Sequence, residues 1–202
     1  MLDSAARRLI DPALDRAGRR LAALGATADA VTLAGLALGL LAAALIALGA
    51  PGWALLPLLV SRVADGLDGA VARATQRSDW GGYLDIACDF AFYGAVPLGF
   101  VLADPEANGL AGAFLLAAFY FNGTTFLGYA ILAEKRGMQT RAQGIKSLYF
   151  SNGLLEGTET IAFIVLICLF PGGFPPLAAI FASLCYISGT VRIIGARALF
   201  RT

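Results

Sequence analysis

Four aspartates define the chemistry open to this chain. They fall in the stretch DGLDGAVARATQRSDWGGYLDIACD, residues 65–89, as Asp65, Asp68, Asp85 and Asp89. The first pair is spaced i,i+3 and the second i,i+4, and on a helix either spacing puts both carboxylates on one face. Gly69 and Ala72 share the face of Asp65 and Asp68, which is therefore acidic without being bulky, and Arg73 lies two turns beyond Asp65 in the same stripe. The flanking runs are apolar. A carboxylate at the centre of a bilayer costs roughly 2.5–3.5 kcal/mol, and four together also repel one another, so something must cancel their charge. Two divalent cations would do so. Donor sets made only of oxygen suit Mg²⁺ or Mn²⁺, and the absence of histidine argues against zinc or copper. Two metals held by carboxylates commonly clamp a phosphoryl group under attack.

The elements that must carry these residues are membrane helices. The 202 residues are 58% hydrophobic and 14% charged, with mean hydropathy +0.74, whereas a soluble domain is about 25% charged. Residues 1–24 form a separate N-terminal segment in which Leu9, Ile10, Leu14, Leu21 and Leu24 alternate with Arg7, Arg8, Arg16, Arg19 and Arg20. That pattern predicts an amphipathic juxtamembrane helix lying in the membrane surface, broken or started by Pro12. Residues 25–202 form the transmembrane domain, with spans expected at about 30–50, 53–73, 81–102, 110–132, 152–170 and 175–194, each near the ~20 residues a bilayer needs. Gly35 and Gly39 make a small-xxx-small step for close helix approach, and Pro51-Gly52 reads as a tight turn. Lys and Arg occur at 7, 8, 16, 19 and 20, at 62, 73 and 77, at 135, 136, 141 and 146, and at 192, 197 and 201; the connections at 49–52, 104–108 and 171–176 have none. The positive-inside rule then gives an all-α, six-span integral membrane protein with both termini cytosolic and the aspartates facing the cytosolic leaflet of a cell (inner) membrane. Net charge is +1, so bulk charge names no partner. The lipid bilayer is the expected partner, and no nucleic acid is. Cys88, Cys168 and Cys185 lie in apolar runs, are odd in number, and read as small hydrophobes without disulfides.

The series Asp65-x2-Asp68-Gly69-x2-Ala72-Arg73-x7-Gly81-x3-Asp85-x3-Asp89 closely resembles the signature of the CDP-alcohol phosphatidyltransferase family. Eight positions are fixed over twenty-five residues; the interval between Arg73 and Gly81 is one residue shorter than the family usually has. The resemblance implies a transferase that moves a phosphatidyl group from CDP-diacylglycerol to a small polar alcohol and releases CMP. It also implies a homodimer, with a cavity open to the cytosolic leaflet and two Mg²⁺ or Mn²⁺ ions. In that picture Asp65, Asp68 and Asp85 are the main metal ligands. Asp89 is the base for the acceptor hydroxyl and also touches a metal. Gly69 contacts the nucleotide, and Ser78 matches the family's small hydroxyl residue in the loop.

Other assignments stay open on the sequence alone. Arg73 pairs with the diphosphate or, more blandly, marks topology or partners Asp65. Asp29 and Thr32 resemble the family's nucleotide-contacting entry segment, or serve as a helix N-cap. Glu156 and Glu159 hold the acceptor or pair with Arg62 or Arg192. Lys135, Arg136, Arg141 and Lys146 are a positive-inside loop or a rim for a phosphorylated acceptor. Phe114, Phe119, Tyr120, Phe121 and Phe126 read as packing or lipid contact. The acceptor is open among polyols, polyol phosphates and serine. Two rival functions are an aminoalcohol phosphotransferase using diacylglycerol as acceptor and a divalent-cation transporter.

Overall fold

The structure is a computed structural model that describes residues 2–138 and 157–201. Among these residues it is all-helical: α1 Leu2–Ala23, α2 Ala28–Ala47, α3 Pro51–Ala74, α4 Asp79–Ala103, α5 Pro105–Lys135, α6 Gly157–Leu169 and α7 Phe174–Phe200, with a short 3-10 turn at Pro171–Gly173 before α7. Four helices, α2, α4, α5 and the one ending at Phe200, are long and apolar enough to cross a membrane. The fold class is thus all-α and membrane-spanning. α3 has 24 residues but carries Arg62, Asp65, Asp68 and Arg73, which takes it out of the plainly apolar group, and α6 is described over 13 residues.

Local chemistry explains most boundaries. Thr27 caps α2, its hydroxyl accepting from the Ala30 N–H at 3.2 Å, and Asp104 caps α5 through the Ala107 N–H at 2.9 Å. Gly25 and Gly49 follow the ends of α1 and α2 with φ +86° and +78°, the left-handed conformation that glycine adopts without strain. The turn expected at Pro51-Gly52 therefore lies earlier, around Gly49, and Pro51 opens α3, where its missing N–H costs nothing. Pro12 neither breaks nor starts a helix: it lies inside α1. A proline there removes one backbone bond, a loss that a 22-residue helix docked on α3 accommodates.

α2 packs against both α3 and α4, α5 against α7, and α1 across α3. Gly35 and Gly39 serve the close approach expected of them. A Cβ on Gly39 would sit 2.6 Å from Phe92 Cδ2 and 3.1 Å from Ser61 Oγ, and the Ser61 hydroxyl donates to the Gly35 carbonyl at 2.7 Å. The buried core includes Ile46, Leu58, Phe92, Leu115, Ile164, Ile167 and Phe174. The aromatic residues of α5 pack as anticipated: Phe119 meets Tyr93 and Phe181, while Phe114 and Phe121 both meet Tyr186. Tyr120 points outward with Trp53, Leu56 and Leu110. Large apolar residues on the outside and small ones between helices are what a lipid solvent favours. The three cysteines are buried and unbonded to one another.

Candidate functional site

α3 and α4 both pack against α2, and the carboxylate stripes of the two helices meet through their side chains. On α3 the stripe is Arg62, Asp65, Gly69 and Arg73; on α4 it is Gly81, Asp85 and Asp89, each separated by one turn. The result brings Asp65, Asp85 and Asp89 together, with one carboxylate oxygen from each lying within 4.8 Å of the others. Asp68 is not in this group. It is buried and accepts a 2.7 Å hydrogen bond from the Thr32 hydroxyl on α2. Thr32 therefore reaches the acidic motif itself, and the bond fixes α2 against α3.

Two cations that the sequence placed elsewhere complete the picture. Arg62 lies one turn before Asp65 with its side chain 8% exposed; its Nη1 is 2.9 Å from Asp89 Oδ1 and 3.6 Å from Asp65 Oδ1. Its Nη2 donates to Ser61 Oγ at 3.1 Å, and its guanidinium carbon sits 3.8 Å from the centre of the Phe92 ring. On the sequence alone Arg62 is a topology marker or a partner for the glutamates of span five. The overlooked signal was its i,i+3 spacing to Asp65, which puts both on one helix face. Arg73 pairs instead with α1: its Nη2 and Nε donate to Asp15 Oδ1 at 2.6 and 3.2 Å. No local signal reveals Asp15, because it is separated from Arg73 by 58 residues.

At the end of α2 and α4 nearest the α3–α4 loop lies a cleft of about 490 Å³ lined by Thr27, Asp29, Thr75, Gln76 and Ser78 together with the α1–α2 connection. Asp29 is not the N-cap of α2, since Thr27 takes that place. Instead its Oδ2 accepts from the Trp80 indole N–H at 3.1 Å. Ser78 caps α4, accepting from the Gly81 N–H at 3.0 Å. Gly81 sits tightly between them: a Cβ there would lie 3.2 Å from Ser78 Oγ and 3.5 Å from Asp29 Oδ1. Asp85 follows one turn later, about 6 Å along the helix, so Gly81 stands between the cleft residues Asp29 and Ser78 and the carboxylate stripe of α4. Gly69 leaves the α3 face open, with only Arg73 Nη1 within reach of an added Cβ, at 3.4 Å.

The donor set is three carboxylates with no nitrogen or sulfur among them, which fits a hard divalent ion such as Mg²⁺ or Mn²⁺. The group that converges is Asp65, Asp85 and Asp89, whereas the resemblance implied Asp65, Asp68 and Asp85 as the main ligands, and Asp68 instead meets Thr32. Residues 25–193 match the family model for CDP-alcohol phosphatidyltransferase. The chain belongs to the CDP-alcohol phosphatidyltransferase family. Among its relatives is the inner membrane protein YnjF of Escherichia coli (strain K12), 47% identical over 193 residues, which span 96% of this chain and 94% of the relative. The fold is similar to that of phosphatidylinositol phosphate synthase (PgsA1) of Mycobacterium tuberculosis. Its structure with CDP-DAG bound matches with a TM-score of 0.73 and 21% identity, over 91% of this chain and 93% of that one. The structure of PgsA1 with manganese and citrate matches with a TM-score of 0.69 at 21% identity, over 89% and 87%.

Of the remaining sequence candidates, Glu159 stands in the first turn of α6. Glu156, Arg141 and Lys146 lie outside the described residues. Arg192 does not stand alone as a charge: it is buried and donates to the Asn122 carbonyl, Asn122 Oδ1 and Thr125 Oγ1 of α5 at 3.1, 3.0 and 2.7 Å. Arg136 reaches the carbonyls of Leu199 and Phe200 at the end of α7 at 3.3 and 3.0 Å, so this member of the basic group ties α5 to α7.

Proposed function

We propose that this protein transfers a phosphatidyl group from CDP-diacylglycerol to the hydroxyl of a small polar alcohol, releasing CMP, in an inner membrane and from its cytosolic side. The observation that carries this reading is the convergence of Asp65, Asp85 and Asp89 beside a cleft lined by Asp29 and Ser78. The membrane location is supported by the relative named as an inner membrane protein and by the apolar helices. Six spans with both termini cytosolic, a paired assembly and a 25–202 catalytic domain complete the proposal.

In this mechanism the nucleotide enters the cleft against Asp29, Ser78 and the open face at Gly69, and Thr32 keeps Asp68 in register beneath it. Asp65, Asp85 and Asp89 would hold two Mg²⁺ or Mn²⁺ ions, with Asp68 at the margin of the set. When bound, these ions neutralise the diphosphate and the departing phosphate. Arg73 adds a guanidinium for phosphate oxygens, released from or shared with Asp15. Asp89 takes the proton of the acceptor hydroxyl. The acceptor oxygen forms a bond to the β-phosphorus, the bond to CMP breaks, and the electron pair leaves with CMP. General-base assistance of this kind contributes typically about 10²–10⁴-fold.

The deciding experiment is CMP release by the purified protein with CDP-diacylglycerol and Mg²⁺ or Mn²⁺, alcohols being supplied one at a time. CMP that appears with one acceptor, and stops in EDTA, supports the proposal. Turnover only with a soluble CDP-aminoalcohol and diacylglycerol overturns the direction of transfer. Cation flux in liposomes with no CMP under any condition overturns the enzyme reading.

A further inference from the structure

The functional reading leaves Arg62 without a task, yet Arg62 is bound more tightly into the acidic cluster than any other cation whose contacts are described above. It touches two of the three clustered carboxylates, Asp89 at 2.9 Å and Asp65 at 3.6 Å. It is fixed from behind by the Phe92 face at 3.8 Å and by Ser61. Ser61 in turn donates to the Gly35 carbonyl, so the guanidinium is seated on a rigid α2–α3–α4 contact. Its Nε is buried with no hydrogen-bond partner among the described residues. A guanidinium that leaves one buried donor unmade is held where it is by charge more than by complete hydrogen bonding.

Three carboxylates gathered within 4.8 Å repel strongly in a low-dielectric setting, and two charges about 4 Å apart interact appreciably even at an intermediate dielectric. We infer that Arg62 is a built-in counter-ion of the aspartate triad: it holds Asp65 and Asp89 together before any divalent cation arrives, and it weakens the cation's hold on the Asp89 side. Because Arg62 donates to Asp89 Oδ1 at 2.9 Å, it fixes the orientation of that carboxylate, which makes Arg62 a positioning residue for Asp89. The inference rests on the reading of the triad as a divalent-cation site.

The test is Mn²⁺ binding and thermal unfolding of the full chain purified in detergent, as wild type, R62Q and R62K. In EDTA, R62Q should unfold roughly 10 °C lower than wild type, because three carboxylates then lack compensation. Saturating Mn²⁺ should close most of that gap. The Mn²⁺ affinity of R62Q should rise by on the order of tenfold as a positive charge leaves the site. R62K keeps the charge without the fork and should recover most of the stability in EDTA and most of the wild-type Mn²⁺ affinity. A gap of equal size with and without Mn²⁺ would show that Arg62 acts through packing alone, and the inference would fall. It falls equally if R62K behaves as R62Q does. Should R62Q not fold, R62K decides alone: loss of stability in EDTA as large as 10 °C that Mn²⁺ does not repair overturns the inference, and near-wild-type behaviour supports it. Wild-type protein that binds no Mn²⁺ overturns the metal-site reading together with this one, whereas equal Mn²⁺ affinity in wild type and R62Q overturns this one alone.

Discussion

Asp89 and Asp68 carry the same side chain and the same sequence signal, but the fold gives them different surroundings. Asp89 is in the triad, with one oxygen on Arg62; Asp68 is buried beneath, with one oxygen on Thr32. Their variants should therefore separate. Asp89→Asn keeps the shape and the Arg62 contact but cannot take a proton, so turnover should fall by about 10²–10⁴ while CDP-diacylglycerol binding persists. CMP formation at the wild-type rate would rule out Asp89 as the base. Thr32→Val removes a hydroxyl from a buried carboxylate, and a hydrogen bond to a charged group is worth about 1.5–3 kcal/mol. It should lower Tm in the absence as well as the presence of substrate, an effect read by thermal unfolding. The i,i+3 and i,i+4 spacings were enough to find all four aspartates, because helical periodicity acts over a single turn. They could not say which carboxylates meet across two helices, since that depends on how α3 and α4 are each packed on α2, the helix that also carries Thr32.

At the scale of elements, α1 does more than float beside the bundle. It lies across α3 so closely that a Cβ on Gly18 would come within 2.6 Å of Ala70 Cβ and 2.8 Å of its backbone carbon, and one on Gly66 within 2.8 Å of Leu14 Cδ1. That docking places Asp15 on Arg73. The pair itself is 40% exposed on both sides, and exposed ion pairs contribute only about 0.2–1 kcal/mol; the packing of α1, not the ion pair, must hold the helix there. Gly18→Ala forces a methyl against backbone that cannot yield and should cost about 1–3 kcal/mol. Gly109→Ala, where nothing lies within 4 Å, should show no such loss. Equal Tm values for the two variants would mean that α1 is not docked as described. The amphipathic character of residues 1–24 was plain from alternating Leu and Arg, but the partner of α1 was not. The Gly18–Ala70 and Asp15–Arg73 contacts join positions more than fifty residues apart, and no local pattern encodes them. Pro12 misled for the opposite reason: a strong local rule was overridden by tertiary packing.

Across the whole molecule, the two ends of the bundle differ in charge as the sequence suggested. At one end Phe100 of α4 stacks on Phe174 of α7 at 4.7 Å, and Asn108 of α5 bonds back to the Phe100 carbonyl. At the other, Arg136 of α5 meets the last carbonyls of α7, and Arg73 meets α1. The helix lengths were legible because apolar runs of about twenty residues have one use. α3 was the harder case, since the charges that make the site also erase its apolar signature. The charge asymmetry gives an orientation that can be measured. Cys88, Cys168 and Cys185 are buried, so a single introduced cysteine should dominate labelling by a membrane-impermeant maleimide. Glu106→Cys, at the exposed start of α5, should label in intact cells, whereas Gln76→Cys, exposed in the α3–α4 loop, should label only after permeabilisation. The reverse pattern would turn the bundle over. It would put the candidate site on the side where a nucleotide-activated lipid made in the cytosol is not supplied, and the proposed reaction would then have to be abandoned along with the topology.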